Sequence, residues 1–314
     1  MINLELPKRL QAGANQARQV ATQIFRPISR KYDLAEHEYP VELDTLRAMM
    51  EAMEDAWKSA AGATMGAGSA PKKTDGVVNG GNMKSLLNII ETCWGDVGLT
   101  LSIPRQGLGN SAIAAVANEE QMKRFGRVWA SMAITEPAFG SDSAAVSATA
   151  RLDGDEYVLN GTKIFITSGA RADHIVVWAT LDKSKGLAAI KSFVVPREHP
   201  GVSVDRLEHK LGIRASDTAQ ITFTDCRIPK ENLLGDPEIR VDKGFAGAMQ
   251  TFDNTRPLVA GMAVGLARAA LEEIRTLLEE AGMEIDYDRP ATSQPAAVAK
   301  YLELDADWES AYLL

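Results

Sequence analysis

A segment near the middle of the chain contains residue types that could hold an anionic ligand. Residues 129–142 read WASMAITEPAFGSD, a short apolar strand that Pro137 interrupts. A turn with Gly140, Ser141 and Asp142 follows, and its backbone N–H groups and hydroxyl could face a phosphate. Taken alone, this segment is also typical of an ordinary strand-to-loop corner.

A second segment, NGTKIFITSG at positions 160–169, follows about twenty residues later along the chain. Its Asn160-Gly161 pair is a strong signal for a two-residue hairpin turn, and residues 163–167 form the predicted return strand. Hydroxyls and an aromatic ring within that strand could contact a bound ligand. Each of them is equally typical of a strand that packs in an ordinary core.

Hydrophobic periodicity divides the chain into three regions that would position these segments. Apolar residues recur at helical spacing over residues 5–125, at period two over residues 129–234, and again at helical spacing from residue 238. Strands this short and this regularly spaced predict a compact antiparallel barrel or sandwich. We therefore expect an α+β multidomain fold with an N-terminal all-α domain (1–127), a middle β domain (128–237) and a C-terminal helical bundle (238–314).

Glycines and polar residues predict several element boundaries. A helix is expected over about residues 42–60, before a glycine-rich loop at 61–82, and the apolar helical stretch 83–103 is interrupted at residues 95–98. A turn is expected at Asp153-Gly154.

Prolines and polar residues mark the expected helix ends. Pro27 is expected to end the first helix, and Asp253, with Pro257 in the first turn, is a candidate N-cap for the long bundle helix. The last helix, from about Ala296, runs to Leu314 without a cap, a glycine or a polar tail. This ending predicts a C-terminal domain that is truncated.

The composition excludes several function classes. The net charge of −8 argues against a nucleic-acid surface, and no apolar run approaches the ~20 residues that span a bilayer. The N-terminus lacks the apolar region of a secretory signal, and Cys93 and Cys226 form no CxxC pair, so a reducing, cytoplasmic setting is expected. No metal site is predicted, because the four histidines are scattered without ligand spacing: His37, His174, His199 and His209.

The two central segments together resemble the acyl-CoA dehydrogenase family. The resemblance rests on Thr-Glu-Pro-x-x-Gly-Ser-Asp followed by Asn-Gly-x-Lys-x-aromatic-Ile-Thr, and it extends from about residue 5 to the end of the chain. It implies FAD bound between the β domain and the bundle, and oxidation of an acyl-CoA to the trans-2-enoyl-CoA in fatty-acid β-oxidation. It also implies electron transfer to an electron-transfer flavoprotein and a homotetramer or dimer of dimers. The absence of a Rossmann fingerprint argues against NAD.

The resemblance also implies which residues bind the ligands. The strand from residue 132 to 135 would lie along the flavin edge, Phe165 would replace the usual tryptophan wall, and the Thr167 hydroxyl would reach N5. The implied cofactor residues are Met132, Ala133, Ile134, Thr135, Gly140, Ser141, Phe165, Ile166, Thr167 and, toward a partner subunit's FAD, Arg289. The implied substrate residues are Ser141, Asp253, Asn254, Thr255 and Arg256.

The catalytic base has no obvious counterpart in the sequence. In most family members it is a glutamate near the end of the C-terminal domain, expected here beyond Leu314, and in a minority it lies at the position of Thr255, where a threonine cannot act as a base. Two alternatives therefore stay open: a non-catalytic partner subunit of a heteromeric dehydrogenase, and an O₂-using flavin oxidase or monooxygenase of the same fold. The acyl chain length is not predicted.

Overall fold

Helices form the N-terminal part of the protein. The computed structural model describes residues 6–52, 80–142, 145–239 and 246–314. The helices before the sheet are α1 (Lys8–Val20), α2 (Arg26–Ala35), α3 (Glu42–Ala52), α4 (Gly81–Gly95), α5 (Val97–Leu101), α6 (Leu108–Val116) and α7 (Glu119–Phe125). The end of the helix predicted over residues 42–60, and most of the glycine-rich loop after it, lie outside the described ranges.

The predicted helix end at Pro27 is wrong. A π-helical turn, Ala21–Phe25, connects α1 directly to α2, and Pro27 lies in the first turn of α2. Proline fixes φ near the helical value and lacks only its own N–H, so a helix can pass through this position at the cost of one hydrogen bond. The helical path therefore continues, and Phe25 and Tyr32 belong to one buried cluster.

The predicted interruption near Gly95 is confirmed, and side-chain caps define the helices around it. The Asp96 carboxylate accepts a hydrogen bond from Leu99 N at 2.7 Å, which starts α5 directly after α4 ends. At α7, Asn118 and Gln121 form a reciprocal capping box. These caps satisfy N–H groups that a helix start would otherwise leave unpaired.

The middle region forms a seven-stranded, mostly antiparallel sheet, as the short strands predict. Its order is β1-β4-β2-β3-β7-β6, with β5 paired to β4. Two pairings are parallel: β1 with β4, and a single residue pair of β2 with β4. β4 lies between β1 and β2 in the sheet and runs in the same direction as both. The strands are β1 (Ala130–Ala133), β2 (Thr149–Asp153), β3 (Glu156–Thr167), β4 (His174–Thr180), β5 (Ile190–Pro196), β6 (Val202–Leu207) and β7 (Thr218–Pro229).

The turn predicted at Asp153-Gly154 joins β2 to β3, but the hairpin predicted at Asn160-Gly161 is wrong. β3 runs through this pair without reversing and stays paired to β7, with a register shift between Leu159 and Gly161. Gly161 has φ +147°, and a Cβ there would lie 2.6 Å from the Ala148 methyl carbon. The glycine therefore permits a close approach inside a bulged strand rather than a turn.

Two helices follow the sheet, α8 (Ala246–Glu280) and α9 (Ala296–Leu313). α8 packs closely on α4 at Gly265. A Cβ at this position would lie 2.2 Å from the Ile90 carbonyl oxygen, so the approach requires a residue without a side chain. Trp308 of α9 donates a hydrogen bond to the Val264 carbonyl at 3.0 Å. None of the helices in the described ranges combines the length and the hydropathy that crossing a bilayer requires.

The helix start predicted at Asp253 is wrong. α8 already includes Ala246, so Asp253 lies about two turns inside it and Pro257 occupies a helix interior. Proline has no N–H, so the Asp253 carbonyl cannot receive the usual helical hydrogen bond from position 257. The charged residues around this point therefore lie on the side of a helix rather than at its N-terminus.

Candidate active site

A buried ion pair joins the two segments that the sequence singles out. Lys163 Nζ lies 2.7 Å from Glu136 Oε1, and the side chains are 0% and 3% exposed. Nζ also donates to the Ile134 carbonyl at 3.0 Å. Glu136 in turn accepts hydrogen bonds from Ala148 N at 2.9 Å, and from the backbone N–H and the hydroxyl of Ser147. The segment after β1 is thereby fixed to β3.

The surroundings of this pair favour its charged form. Burial of Glu136 opposes ionisation, but hydrogen bonds from Lys163 and Ser147 outweigh it and hold the pKa of Glu136 below its usual value. Burial lowers the pKa of Lys163, and the neighbouring Glu136 limits that shift. Each charge therefore depends on its partner, and we assign the pair a structural role in positioning the segment end.

An exposed aromatic ring lies beside this fixed segment. Phe165 is 60% exposed and has φ +56°, within a register shift of β3 between Lys163 and Ile166. The preceding residue, Ile164, donates its N–H to the Thr135 carbonyl at 2.9 Å, so the bulge and the end of β1 are neighbours. A bulky residue with positive φ carries backbone strain, and such strain is concentrated at functional sites. The bulge turns an apolar ring away from the core.

The other predicted cofactor residues differ in the solvent exposure of their side chains. The side chains of Ala133, Ile134 and Ile166 are buried in the β core, so only their backbone groups could meet a ligand. Partly accessible side chains belong to Met132, Thr135 and Thr167, and exposed ones to Ser141 and Arg289. Gly140 is also exposed, with open space where a Cβ would lie. An exposed ring, accessible hydroxyls and available backbone groups fit a flat heteroaromatic ligand.

The predicted substrate residues lie on α8. Phe252 of this helix packs against the β core, so the helix meets the sheet at this point. Asp253 and Arg256 form an exposed ion pair at 3.1 Å, with side chains 68% and 67% exposed. Thr255 is buried, and its hydroxyl donates within the helix to the Thr251 carbonyl at 3.0 Å. Asn254 lies on the same turn of the helix.

Comparison with known families matches two regions of the chain. Residues 131–226 match the model for the acyl-CoA dehydrogenase middle domain, and residues 242–314 match that for the acyl-CoA dehydrogenase C-terminal domain. The chain belongs to the acyl-CoA dehydrogenase family. This family is flavin-dependent, which agrees with the flat ligand that the exposed ring and hydroxyls fit.

Individual relatives support the assignment. The short-chain specific acyl-CoA dehydrogenase of Rattus norvegicus mitochondria is 50% identical over 45% of this chain and 33% of its own length. The short-chain specific enzyme of Clostridium acetobutylicum is 37% identical over 64% of this chain and 54% of its own. The match therefore spans a third to about half of these relatives. The butyryl-CoA dehydrogenase structure from Megasphaera elsdenii has a TM-score of 0.77 at 26% identity, and the match covers 98% of this chain and 77% of that one.

Within this acyl-CoA dehydrogenase fold, the structure locates two further predicted residues. The Thr255 hydroxyl is buried and donates within its own helix, and its role toward a substrate stays a prediction. Arg289 lies between α8 and α9, where its guanidinium donates to the Ser293 carbonyl at 3.1 Å. Its role toward a partner subunit's cofactor stays a prediction.

Sequence reasoning missed two groupings that only the fold brings together. The Glu136–Lys163 pair could have been suspected, because both are charged residues within otherwise apolar strand segments. The histidines are scattered along the sequence, but the fold brings His37 and His209 together, with ring centroids 5.2 Å apart, next to Glu36. No sequence pattern links positions so distant along the chain.

A cavity of about 380 Å³ lies apart from the predicted flavin residues. Residues from β2, β3 and β4 and the segment after β4 line it, and it shares no residue with the predicted cofactor or substrate sets. We assign the candidate active site from the exposed Phe165 and its neighbours rather than from this cavity, because those residues carry the family motifs.

Proposed function

We propose that this protein is an FAD-dependent dehydrogenase that converts a short acyl-CoA to the trans-2-enoyl-CoA. The observation that carries the proposal is the exposed Phe165 on its strained bulge, held beside Thr135 by the buried Glu136–Lys163 pair. A bound flavin would supply the two-electron acceptor that this oxidation requires. The names of the two curated relatives described above motivate the short acyl chain.

The chain's own residues would hold the cofactor by position and by hydrogen bonding. The Phe165 ring would cover one face of the flavin, while Thr135 and Thr167 present hydroxyls at its edge. Ser141, exposed on the turn after β1, would meet the pyrophosphate and the entering CoA. The buried ion pair contributes no proton, because it is enclosed by protein and serves to fix the segment.

On the substrate side, the proposal uses the exposed face of α8. Asp253 and Arg256 are accessible and paired to each other, so a CoA phosphate could replace the Asp253 carboxylate on Arg256 at little loss of folding energy. We assign the abstraction of the α-proton to neither Thr255 nor Glu136, because both side chains are buried and bonded to protein groups. Position 255, where a minority of the family has the glutamate base, is a threonine in this chain.

The proposal extends to partners and setting by analogy with the family. We propose electron-transfer flavoprotein as the electron acceptor and a homotetramer or dimer of dimers as the assembly, in which Arg289 reaches a neighbouring subunit's FAD. The cytoplasm is the proposed location, since both cysteines are free and buried, as a reducing compartment permits.

The visible spectrum of the purified chain tests the proposal. We expect flavin absorbance that bleaches on anaerobic addition of butyryl-CoA. A colourless protein that fails to take up FAD would refute it. A bound flavin that no acyl-CoA reduces would refute the dehydrogenase activity of this chain; bleaching only after mixing with an active homologue would then identify a partner subunit, whereas O₂ consumption with a reduced flavin would identify an oxidase or monooxygenase.

Substitution of the exposed ring localises the site. Phe165→Ala should weaken FAD binding by about 2- to 12-fold, the loss of an aromatic contact worth about 0.5–1.5 kcal/mol. Folding should be unaffected, because the ring is 60% exposed. Leu152→Ala is the matched control, since Leu152 is 53% exposed on β2 and should leave FAD affinity unchanged.

A further inference from the structure

Three potential metal ligands meet where the N-terminal helices contact the sheet. Glu36 and His37 follow α2, and His209 lies between β6 and β7, 173 positions beyond Glu36. One ligand atom from each of the three side chains lies within 4.8 Å of the others. The closest approach joins Glu36 Oε2 to His209 Nδ1 at 2.9 Å, and the two imidazole rings are tilted by 56°.

The environment of His37 is unusual for an imidazole with no ligand. Both ring nitrogens are shielded from solvent, and neither has a hydrogen-bond partner among the residues that the structure describes. Buried polar atoms normally have partners, and exceptions call for an explanation such as an ion. Glu36 and His37 also adopt positive φ angles of 28° and 68°. Two successive strained residues therefore bring these side chains to one place.

We propose that Glu36, His37 and His209 bind a divalent transition-metal ion of the Zn²⁺ class, with water in the fourth position. Two imidazoles and a carboxylate are a common donor set for such ions. Ligands held about 2.0–2.2 Å from one ion are roughly 3–3.5 Å apart, so the observed spacing requires only small side-chain movements. The ion would clamp the segment after α2 to the β6–β7 connection.

Three cationic residues lie around the cluster, and a bound metal ion would have to compete with any that contact its ligands. Arg214 Nη2 lies 3.2 Å from Glu36 Oε2 and would compete with a metal for that oxygen. Lys210 donates its backbone N–H to Glu36 Oε1, whereas its ammonium group donates to Thr218 Oγ1 at 2.8 Å and to the Ser216 carbonyl. Arg171 contacts the His37 carbonyl and is paired with Asp217.

The surroundings shift the pKa values of His37 and Glu36 toward the forms that bind metal. Burial lowers the pKa of His37, and Lys210 and Arg171 lower it further, against the opposing effect of Glu36. A lowered pKa favours the neutral imidazole, which is the form that binds metal. Hydrogen bonds from His209, Lys210 N and Arg214 lower the pKa of Glu36 to about 2, so its carboxylate is ionised.

Metal titration of the tag-free, EDTA-treated protein tests the site. We expect one equivalent of Co²⁺ to give a visible d–d spectrum, and Zn²⁺ to displace it and raise Tm. His37→Ala and His209→Ala should each weaken Zn²⁺ binding by at least about tenfold, since loss of outer-shell partners alone typically costs 10–100-fold. His209 is 85% exposed at its side chain, so its removal should leave the fold intact.

Two further variants separate a metal site from a merely structural contact. Arg214→Gln removes the competing cation and should tighten Zn²⁺ binding, whereas a structural role for Glu36 predicts weaker folding and no gain in affinity. His174→Gln, which alters a histidine outside the cluster, should leave the affinity unchanged. Zn²⁺ binding that survives both His37→Ala and His209→Ala, or no binding by the wild-type protein, would overturn the proposal.

Discussion

Replacement of Lys163 by methionine tests the role of the buried ion pair most directly. Methionine keeps much of the length of the lysine side chain but removes the charge that Glu136 faces at 2.7 Å. The variant would leave a carboxylate that is 3% exposed without its cation, beside a backbone carbonyl of Ile134 that loses a donor at 3.0 Å. The change therefore separates the charge from the packing.

We expect Lys163→Met to lower the free energy of unfolding by about 3–5 kcal/mol, the usual cost of removing one partner from a buried pair. The value should lie toward the lower limit, because Glu136 keeps hydrogen bonds from Ser147 and Ala148. The double variant Glu136→Gln/Lys163→Met removes both charges. It should be less destabilised than Lys163→Met, because no unpaired charge then remains buried.

The deficit of Lys163→Met should also depend on pH. In the wild type the pKa of Glu136 is lowered, so the stability it contributes is present above its unfolded value and lost as the pH falls through the folded value. Without Lys163, the pKa of Glu136 should be higher than in the wild type, because burial still raises it and the first of the opposing hydrogen bonds is lost, so the variant should bind its proton at higher pH. The difference between wild type and variant should thus be largest near neutrality and shrink on acidification.

Urea unfolding followed by tryptophan fluorescence at several pH values measures these differences. Lys230→Met is the matched control, because its ion pair with Asp155 is exposed, and we expect no measurable change. A Lys163→Met variant as stable as the control, or a deficit that grows as the pH falls, would refute the reasoning. A double variant less stable than both single variants would contradict the assignment of the cost to an unpaired charge.

Two further variants test how α8 packs. Gly265→Ala should destabilise the protein by about 1–3 kcal/mol, because its Cβ would meet the Ile90 carbonyl oxygen and force the helices apart. Arg268→Met should cost about 1.5–3 kcal/mol, since it removes two hydrogen bonds of 2.9 and 2.6 Å to the largely buried Glu91 carboxylate. Thermal unfolding monitored by circular dichroism measures both.

Exposed counterparts of these positions serve as controls. Gly212→Ala places a Cβ in open space, and Arg30→Met breaks an ion pair whose arginine is 77% exposed, so neither should lower Tm appreciably. A Gly265→Ala protein with the Tm of Gly212→Ala would contradict the close packing of α8 on α4. An Arg268→Met protein equal to Arg30→Met would show that the contact with Glu91 contributes little.

The local sequence predicted features that depend on neighbouring residues. The Asp153-Gly154 turn, the helix interruption at Gly95 and the strand that ends before Pro137 follow from turn chemistry, capping and the missing proline N–H. The spacing of the two central motifs was enough to identify the family that the comparisons support. Each of these features depends on residues close together in the sequence or on a known sequence motif.

Local preference failed where a distant partner decided the conformation. Asn160-Gly161 favours a hairpin, yet the long pairing of β3 with β7 keeps the strand continuous, and Gly161 permits close contact with Ala148. Pro27 favours a helix end, but a π-helical turn before it and burial of Phe25 and Tyr32 keep the helix continuous. Tertiary packing outweighs such local preferences because it removes a large apolar area from water, and the resulting free energy exceeds the preference of a single turn.

The site residues show most clearly what the sequence determines and what requires the tertiary structure. The sequence determined that the chain has the motifs and the periodicities of a flavin-dependent dehydrogenase fold. Only the tertiary structure decided that Lys163 pairs with Glu136, that Phe165 turns outward, and that Glu36 and His37 meet His209. The physical reason is distance: electrostatic energies and pKa values depend on separations in space and on burial, and neither quantity is encoded in the spacing of residues along the chain.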